Sequence, residues 1–440
     1  MKYRLLSGAI AALLAGQANA AGFQLAETSA SGLGRAFAGE AAIADNAAAQ
    51  GRNPALLTQL EGRQLSVGAI LVAPDVAAEG TITHPHLNPD MSLGMRTIDA
   101  SEDDLVPNAV VPNFFYSNRL SERWAYGLAI NSNYGLKSEL PATHPAAIFG
   151  SNTEITTVEF NPNIAFAVNE QFSLGAGVRF VYGDGAISGT VPGWVADADV
   201  APLLGMVGLP PVAPGTELKS LSGDDYAWGY KLGATWQPAK GHTIGLSYHS
   251  EVELNLEGDA GGLLYAPDGM AKPGQLALTL PAFAELASSH QLTDAWRLSA
   301  SINWTQWSRF DDLVAEFPDG SSDLVKAEQF EDNWRFAVGT DYRLNDKMVV
   351  RAGVAYDMTA VEDEHRTLSI PDSNRLWFST GMGYAFSDRL NLDLAVTYIH
   401  SQGDAPISES FTVGEATLAQ FNGEVTGSVW LAGAQLSYKL

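Results

Sequence analysis

The chain has 440 residues, with 25 Lys and Arg against 50 Asp and Glu, a formal charge of −25 and no cysteine. That balance excludes nucleic acid as a partner, because phosphate binding needs a basic face. The absence of thiols excludes disulfides and thiolate metal sites.

Residues 1–20 read as a secretory signal peptide. Lys2 and Arg4 open it, an apolar run comes next, and Ala18-Asn19-Ala20 forms a small-residue cleavage site. The run is shorter than the ~20 residues a transmembrane anchor needs, so the mature chain is expected to begin at Ala21. Residues 21–60 are Ala, Gly and Ser with a few charges, among them Glu27, Arg35, Glu40, Asp45 and Arg52. Such a piece is too polar to span a membrane and too small-residued to form a core alone. It is either a plug enclosed by the rest of the chain or a disordered periplasmic tail.

Residues 61–440 alternate with period two, which places successive side chains on opposite faces of a strand. Tyr226, Trp228, Tyr230, Leu232, Ala234 and Trp236 alternate with smaller or polar residues, as do Trp334, Phe336 and Val338, and Leu390 to Tyr398. A soluble sandwich or a lipocalin-like barrel also gives alternation. Segments of about ten residues ending in Trp or Tyr instead favour a lipid-facing band with aromatic girdles. Short turns fall at 118–122, 169–171, 237–241, 293–295, 344–347 and 387–389, separated by longer acidic loops, the longest at 190–223. Six short turns join twelve strands, and the first and last strands bring the total to about fourteen antiparallel strands. The opposite face carries Glu159, Arg179, Lys231, Arg335 and Asp393, expected in the lumen.

No G-x-S-x-G or phosphate-loop motif is present, and His84-Pro85-His86 lacks a third ligand nearby, so neither an enzyme nor a metal site is expected. No cofactor is expected. In the longest loop, Leu203, Leu204, Met206, Val207 and Leu209 form the most apolar patch. It is either a first contact for a hydrophobic ligand or packing of the loop over the barrel.

The stretch AGFQLAETSASGLGRAFAGEAAIADNAAAQGRNPALL, with NSNYGL, SYHSEVELNLEG and LSIPDSNRLWFS further on, resembles the FadL family of outer-membrane long-chain fatty-acid transporters. The likeness runs through essentially the whole mature chain. It implies a monomeric fourteen-stranded barrel in the outer membrane of a Gram-negative bacterium, plugged by an amino-terminal hatch carrying the Asn53-Pro54-Ala55 motif. It implies transport of long-chain fatty acids or similar hydrophobic molecules, released sideways through a wall gap at a kinked third strand, here Ser132, Asn133, Tyr134 and Gly135. Phe23 matches the aromatic residue that lines the family's inner pocket, and Lys326 matches one of the basic residues that hold the ligand carboxylate. The second basic position falls on Gly189, which leaves room for neutral cargo such as aromatic hydrocarbons. The implied partners are the hydrophobic ligand and the surrounding outer-membrane lipid and lipopolysaccharide. The alternatives are a general diffusion porin and a barrel hydrolase.

Overall fold

Alternation closes into a cylinder. The computed structural model describes residues 22–206, 211–413 and 416–440; the leader at 1–20, Val207 and Leu209 lie outside these. The first wall strand, Arg63–Leu87, pairs with the second, Ala109–Arg119, on one side. On the other it pairs with the last, Ala416–Lys439, from Gln64↔Lys439 to Thr83↔Gln420. Each remaining strand pairs antiparallel with its chain neighbour, so the wall is a closed barrel of fourteen strands. Both ends lie on the side of the six short turns, all of which fall where the alternation breaks.

The two faces differ as the pattern requires. Trp228, Tyr230, Trp236, Trp334, Phe336, Val396, Trp430 and Leu436 point outward, while Glu159, Arg179, Lys231, Arg335 and Asp393 are buried in the lumen. The fifth strand, Phe172–Thr190, ends where the loop at 190–223 was expected to begin, whereas the sixth, Glu217–Ala239, starts inside that expected loop. Their ladder continues through Ile187↔Leu221 and Gly189↔Lys219, because each strand offers the other partners well beyond the apolar band. Pro192 to Pro214 bracket the true loop.

The seventh and eighth strands are interrupted, which no turn signal announced. The seventh consists of His242–His249 and Val252–Gly261, and the eighth of Lys272–Leu280 and Phe283–Gln291. His249 and Ser250 are both buried, as are Leu280, Pro281, Ala282 and Phe283, so the inward-facing parity switches at each break. An extra residue in a strand exchanges its faces. Here the exchange turns Val252, Leu254, Leu256, Leu278 and Leu280 into the lumen.

The lumen is filled by the amino-terminal segment. A helical turn at Ala30–Leu33, another at Ala49–Arg52 and a 3₁₀ turn at Pro54–Gln59 are almost wholly buried. Arg35 donates to Glu40 at 2.9 Å, Asp45 at 2.6 Å and the wall residue Asp341 at 3.0 Å. Arg297 and Arg351 of the wall join the same carboxylates. Lys231 donates to the carbonyls of Gln50 and Gly51. Asn53 accepts from Ala55 N–H, capping the 3₁₀ turn, and donates to Ala41 O and, on the wall, Ala234 O. Pro54 opens that turn, where a missing N–H costs nothing. The wall admits the segment at glycines: a Cβ at Gly175, Gly233, Gly245 or Gly353 would collide with its atoms, and one at Gly339 would lie 2.8 Å from Arg35 O.

Replacing Arg35 by Ala strands Glu40 and leaves Asp45 and Asp341 to the remaining arginines, a loss of about 3 kcal/mol or more for a broken buried ion cluster. Proteinase K is therefore expected to cut residues 22–60 in purified Arg35→Ala protein while the barrel itself resists. Equal protection of variant and wild type would contradict this anchoring.

Candidate ligand cavity and wall gap

The third wall strand is broken at the residues singled out from the sequence. It runs as Trp124–Asn131 and resumes as Gly135–Glu139. Against the fourth strand, Asn152–Ala167, pairing passes from Asn131↔Glu159 to Gly135↔Thr156, so three residues oppose two, as in a bulge. Toward the second strand, pairing ends at Phe114↔Ile130, and the resumed half meets that side through a hydrogen bond from Glu139 N–H to Leu105 O rather than through a ladder. The wall is thus unpaired between the second and third strands above Ile130. Side chains hold the bulge: Ser132 donates to Thr157 O, Asn133 to Glu159 at 2.8 Å, Thr157 to Tyr134 O at 2.7 Å, and Tyr134 to Pro281 O across the lumen.

The start of the chain lies directly against this gap. Leu25 N–H donates to Asn133 O at 2.8 Å and Gly135 N–H to Phe23 O at 2.9 Å, with Gln24 bridged to Tyr134. Leu25 belongs to the apolar cluster of Ile70, Val72, Ala109 and Val111 on the first and second strands. Phe23 is fully buried, with edge-on contacts to Tyr134 at 5.9 Å, Trp307 at 4.8 Å and Phe310 at 5.0 Å between ring centroids. Three residues therefore span the opening from inside.

Next to that aromatic cluster is a narrow cavity of about 60 Å³, smaller than small-molecule sites usually are, so a long ligand needs its lining to open. Ile155, Ile187, Leu221, Leu256, Leu276, Leu278, Phe310, Leu313 and Ile370 line it, together with Glu328 and Ser369. Ile155, Leu256, Leu278, Phe310 and Ile370 also pack in the cluster that holds Phe23. The reversed faces of the seventh and eighth strands supply Leu256, Leu276 and Leu278.

The other sequence-derived positions lie around this centre. Lys326 is not on the cavity lining; its Nζ donates to Ser369 Oγ at 2.7 Å and pairs with Glu409 at 3.2 Å. Gly189, which lacks the family's second cation, sits opposite Lys219 on the adjacent strand. Leu203 and Met206 lie on the short helix Ala201–Met206 with Leu204, and Met206 is strongly exposed. Asn53, Pro54 and Ala55 lie in the plug, remote in sequence from the cavity lining. His84 is buried and stacks on Trp194 at 4.4 Å, a packing role. Sequence reasoning missed Trp307, Phe310 and Glu328, which sit in or beside breaks in the ladder where no periodicity marks them.

A barrel whose bore is stoppered, whose wall gap is spanned from inside and whose cavity is apolar belongs to the outer-membrane transporters of hydrophobic molecules. The chain is a member of the outer membrane protein transport protein family (OMPP1/FadL/TodX), whose model matches residues 11–440. It is 37% identical to outer membrane protein P1 of Haemophilus influenzae over 92% of this chain and 91% of that one. It is 32% identical to the long-chain fatty acid transport protein of Escherichia coli over 97% and 96%. A crystal structure of a Pseudomonas aeruginosa FadL homologue superposes with a TM-score of 0.81 at 26% identity, covering 95% of this chain and all of the other. The Pseudomonas putida toluene transporter TodX shares the fold at a TM-score of 0.64 and 18% identity, over 96% and 100%.

Glu27 comes just after the spanning residues and is buried, with one carboxylate oxygen unpartnered. Desolvation pushes its pKa up to about 7, against backbone hydrogen bonds and the partial relief from Arg335 and Arg375. The folded value exceeds the unfolded one, so this contribution is complete below about pH 4.5 and is lost as pH rises through 7, an effect on the order of 3 kcal/mol. The protection of the amides at residues 23–27, taken relative to their intrinsic exchange rates, is expected to fall between pH 6 and 8 in the wild type and to stay constant in Glu27→Gln. A pH-independent wild type would contradict it.

Proposed function

We propose that this protein carries long-chain fatty acids or closely similar amphiphiles passively across the outer membrane and releases them sideways at the third-strand gap. The observation that carries this reading is the pair of hydrogen bonds from Leu25 N–H to Asn133 O and from Gly135 N–H to Phe23 O, which bridge Gln24 to Tyr134 beside an apolar cavity. Phe23 packs on Phe310 of the cavity lining and belongs to the segment that spans the gap, so one displacement reaches both.

Capture begins at apolar surface among the extracellular loops, for which Leu203, Leu204 and exposed Met206 are the candidates. Burial yields about 0.8 kcal/mol per CH₂ removed from water, so affinity climbs steeply with chain length. The ligand then passes to the cavity, with its head group toward Ser369 and Glu328, while Lys326 stays behind Ser369, paired with Glu409. Asn53, Pro54 and Ala55 hold the base of the hatch (residues 21–60) still while its front end moves. Long acyl chains are favoured over small aromatics because the relatives above 30% identity include fatty acid transport proteins, whereas the likeness to the toluene transporter extends to the fold alone.

The chain has no cysteine, so a single engineered pair is unambiguous. Bridged residues on antiparallel segments lie within disulfide reach, and Gln24 faces Tyr134 in this way. A Gln24→Cys/Tyr134→Cys protein is expected to lose fatty-acid uptake about ten-fold when oxidised and to recover it on reduction. Equal uptake in the two states would refute a moving front end.

A further inference from the structure

We propose that the cavity recognises its ligand's head group through Glu328, and that this carboxyl selects an uncharged oxygen (a protonated acid or an ester carbonyl) over a carboxylate. The inference rests on the cavity being the transport site, and deepens that reading by naming the head-group chemistry.

Glu328 lies just beyond the short strand Ser322–Ala327 and is 1% exposed. It lines the cavity, and its Oε2 has no hydrogen-bond partner. A buried polar atom without a partner is costly, and a ligand that supplies one removes that cost. The obvious alternative, Lys326, is off the lining and already held by Glu409 and Ser369. Its charge is therefore shared before any ligand arrives, and a carboxylate would have to compete with Glu409 for it.

The remaining charged groups point the same way. Glu154 and Asp259 also line the cavity, and Glu154 pairs outward with Lys137 at 3.5 Å. Desolvation pushes Glu328 up to about 7; Lys326 opposes that rise and Glu409 adds to it. Below about pH 7 the group therefore holds a proton that it can donate to an acceptor oxygen. A carboxylate entering the same space would meet three acidic side chains and one neutralised lysine.

The test is equilibrium binding of hexadecane, methyl palmitate and palmitate to the purified protein. The wild type at pH 6 is expected to prefer methyl palmitate over hexadecane by about three- to ten-fold, the value of one buried hydrogen bond. Glu328→Gln keeps a donor and should retain that preference. Glu328→Leu should reduce it to near one while still binding hexadecane, which also shows that the cavity is intact. Lys326→Met should leave it within about two-fold, a change smaller than one hydrogen bond. A preference unchanged in Glu328→Leu, or palmitate bound more tightly than the ester at pH 8 and lost in Lys326→Met, would overturn the assignment and leave the cavity reading standing. Failure of hexadecane to bind the wild type would overturn both.

Discussion

Everything in this molecule depends on charges that neither wall nor plug could bury alone. Arg35 sits out of water between Glu40, Asp45 and Asp341, and Arg297 and Arg351 complete the cluster from the wall. A wide barrel cannot fill its bore with its own side chains, and an Ala- and Gly-rich segment cannot form its own core. Ion pairs cross in both directions, from plug Arg35 to wall Asp341 and from wall Arg297 to plug Asp45. Removing either partner leaves ions in a place where desolvation is expensive. The glycines at the contact let backbone meet backbone, so the plug is seated by shape as well as by charge.

This division gives the lumen two mechanical regions. Near the base, ion pairs and the Asn53 cap fix the plug to many strands at once. Toward the front, Phe23 to Leu25 hold on by two backbone hydrogen bonds and aromatic packing. Between them, Ala36 and Phe37 occupy the left-handed region at φ 51° and 55°, held by a bond from Arg335 to Ala36 O. Strained non-glycine backbone persists only where the surroundings over-determine it. The anchored part fills the bore, and the front part lies against the wall gap and, through Phe23, packs on Phe310 of the cavity lining.

Much of this was legible in the chain, for a physical reason. Lipid on one side and a polar lumen on the other impose a strict two-residue period, so the strands, their outward aromatics and the six tight turns could be counted. The polar run at Ser132 to Gly135 stood out because it interrupts that period. The cavity did not stand out. Val252, Leu254 and Leu256 alternate as cleanly as any lipid-facing strand, and only the switch at Ser250 turns them inward. Glu328 looks like any loop acid until the fold encloses it. Lys219 lay inside what read as loop, and only the extended ladder places it opposite Gly189.

The most direct measurement of the central claim is single-channel current through the purified wild type in a planar bilayer. A plug seated by buried ion pairs predicts a bore closed to ions, with no steady porin-sized conductance at neutral pH. A large, steady current from the intact chain would mean that the bore is open and that the charge cluster does not seal it.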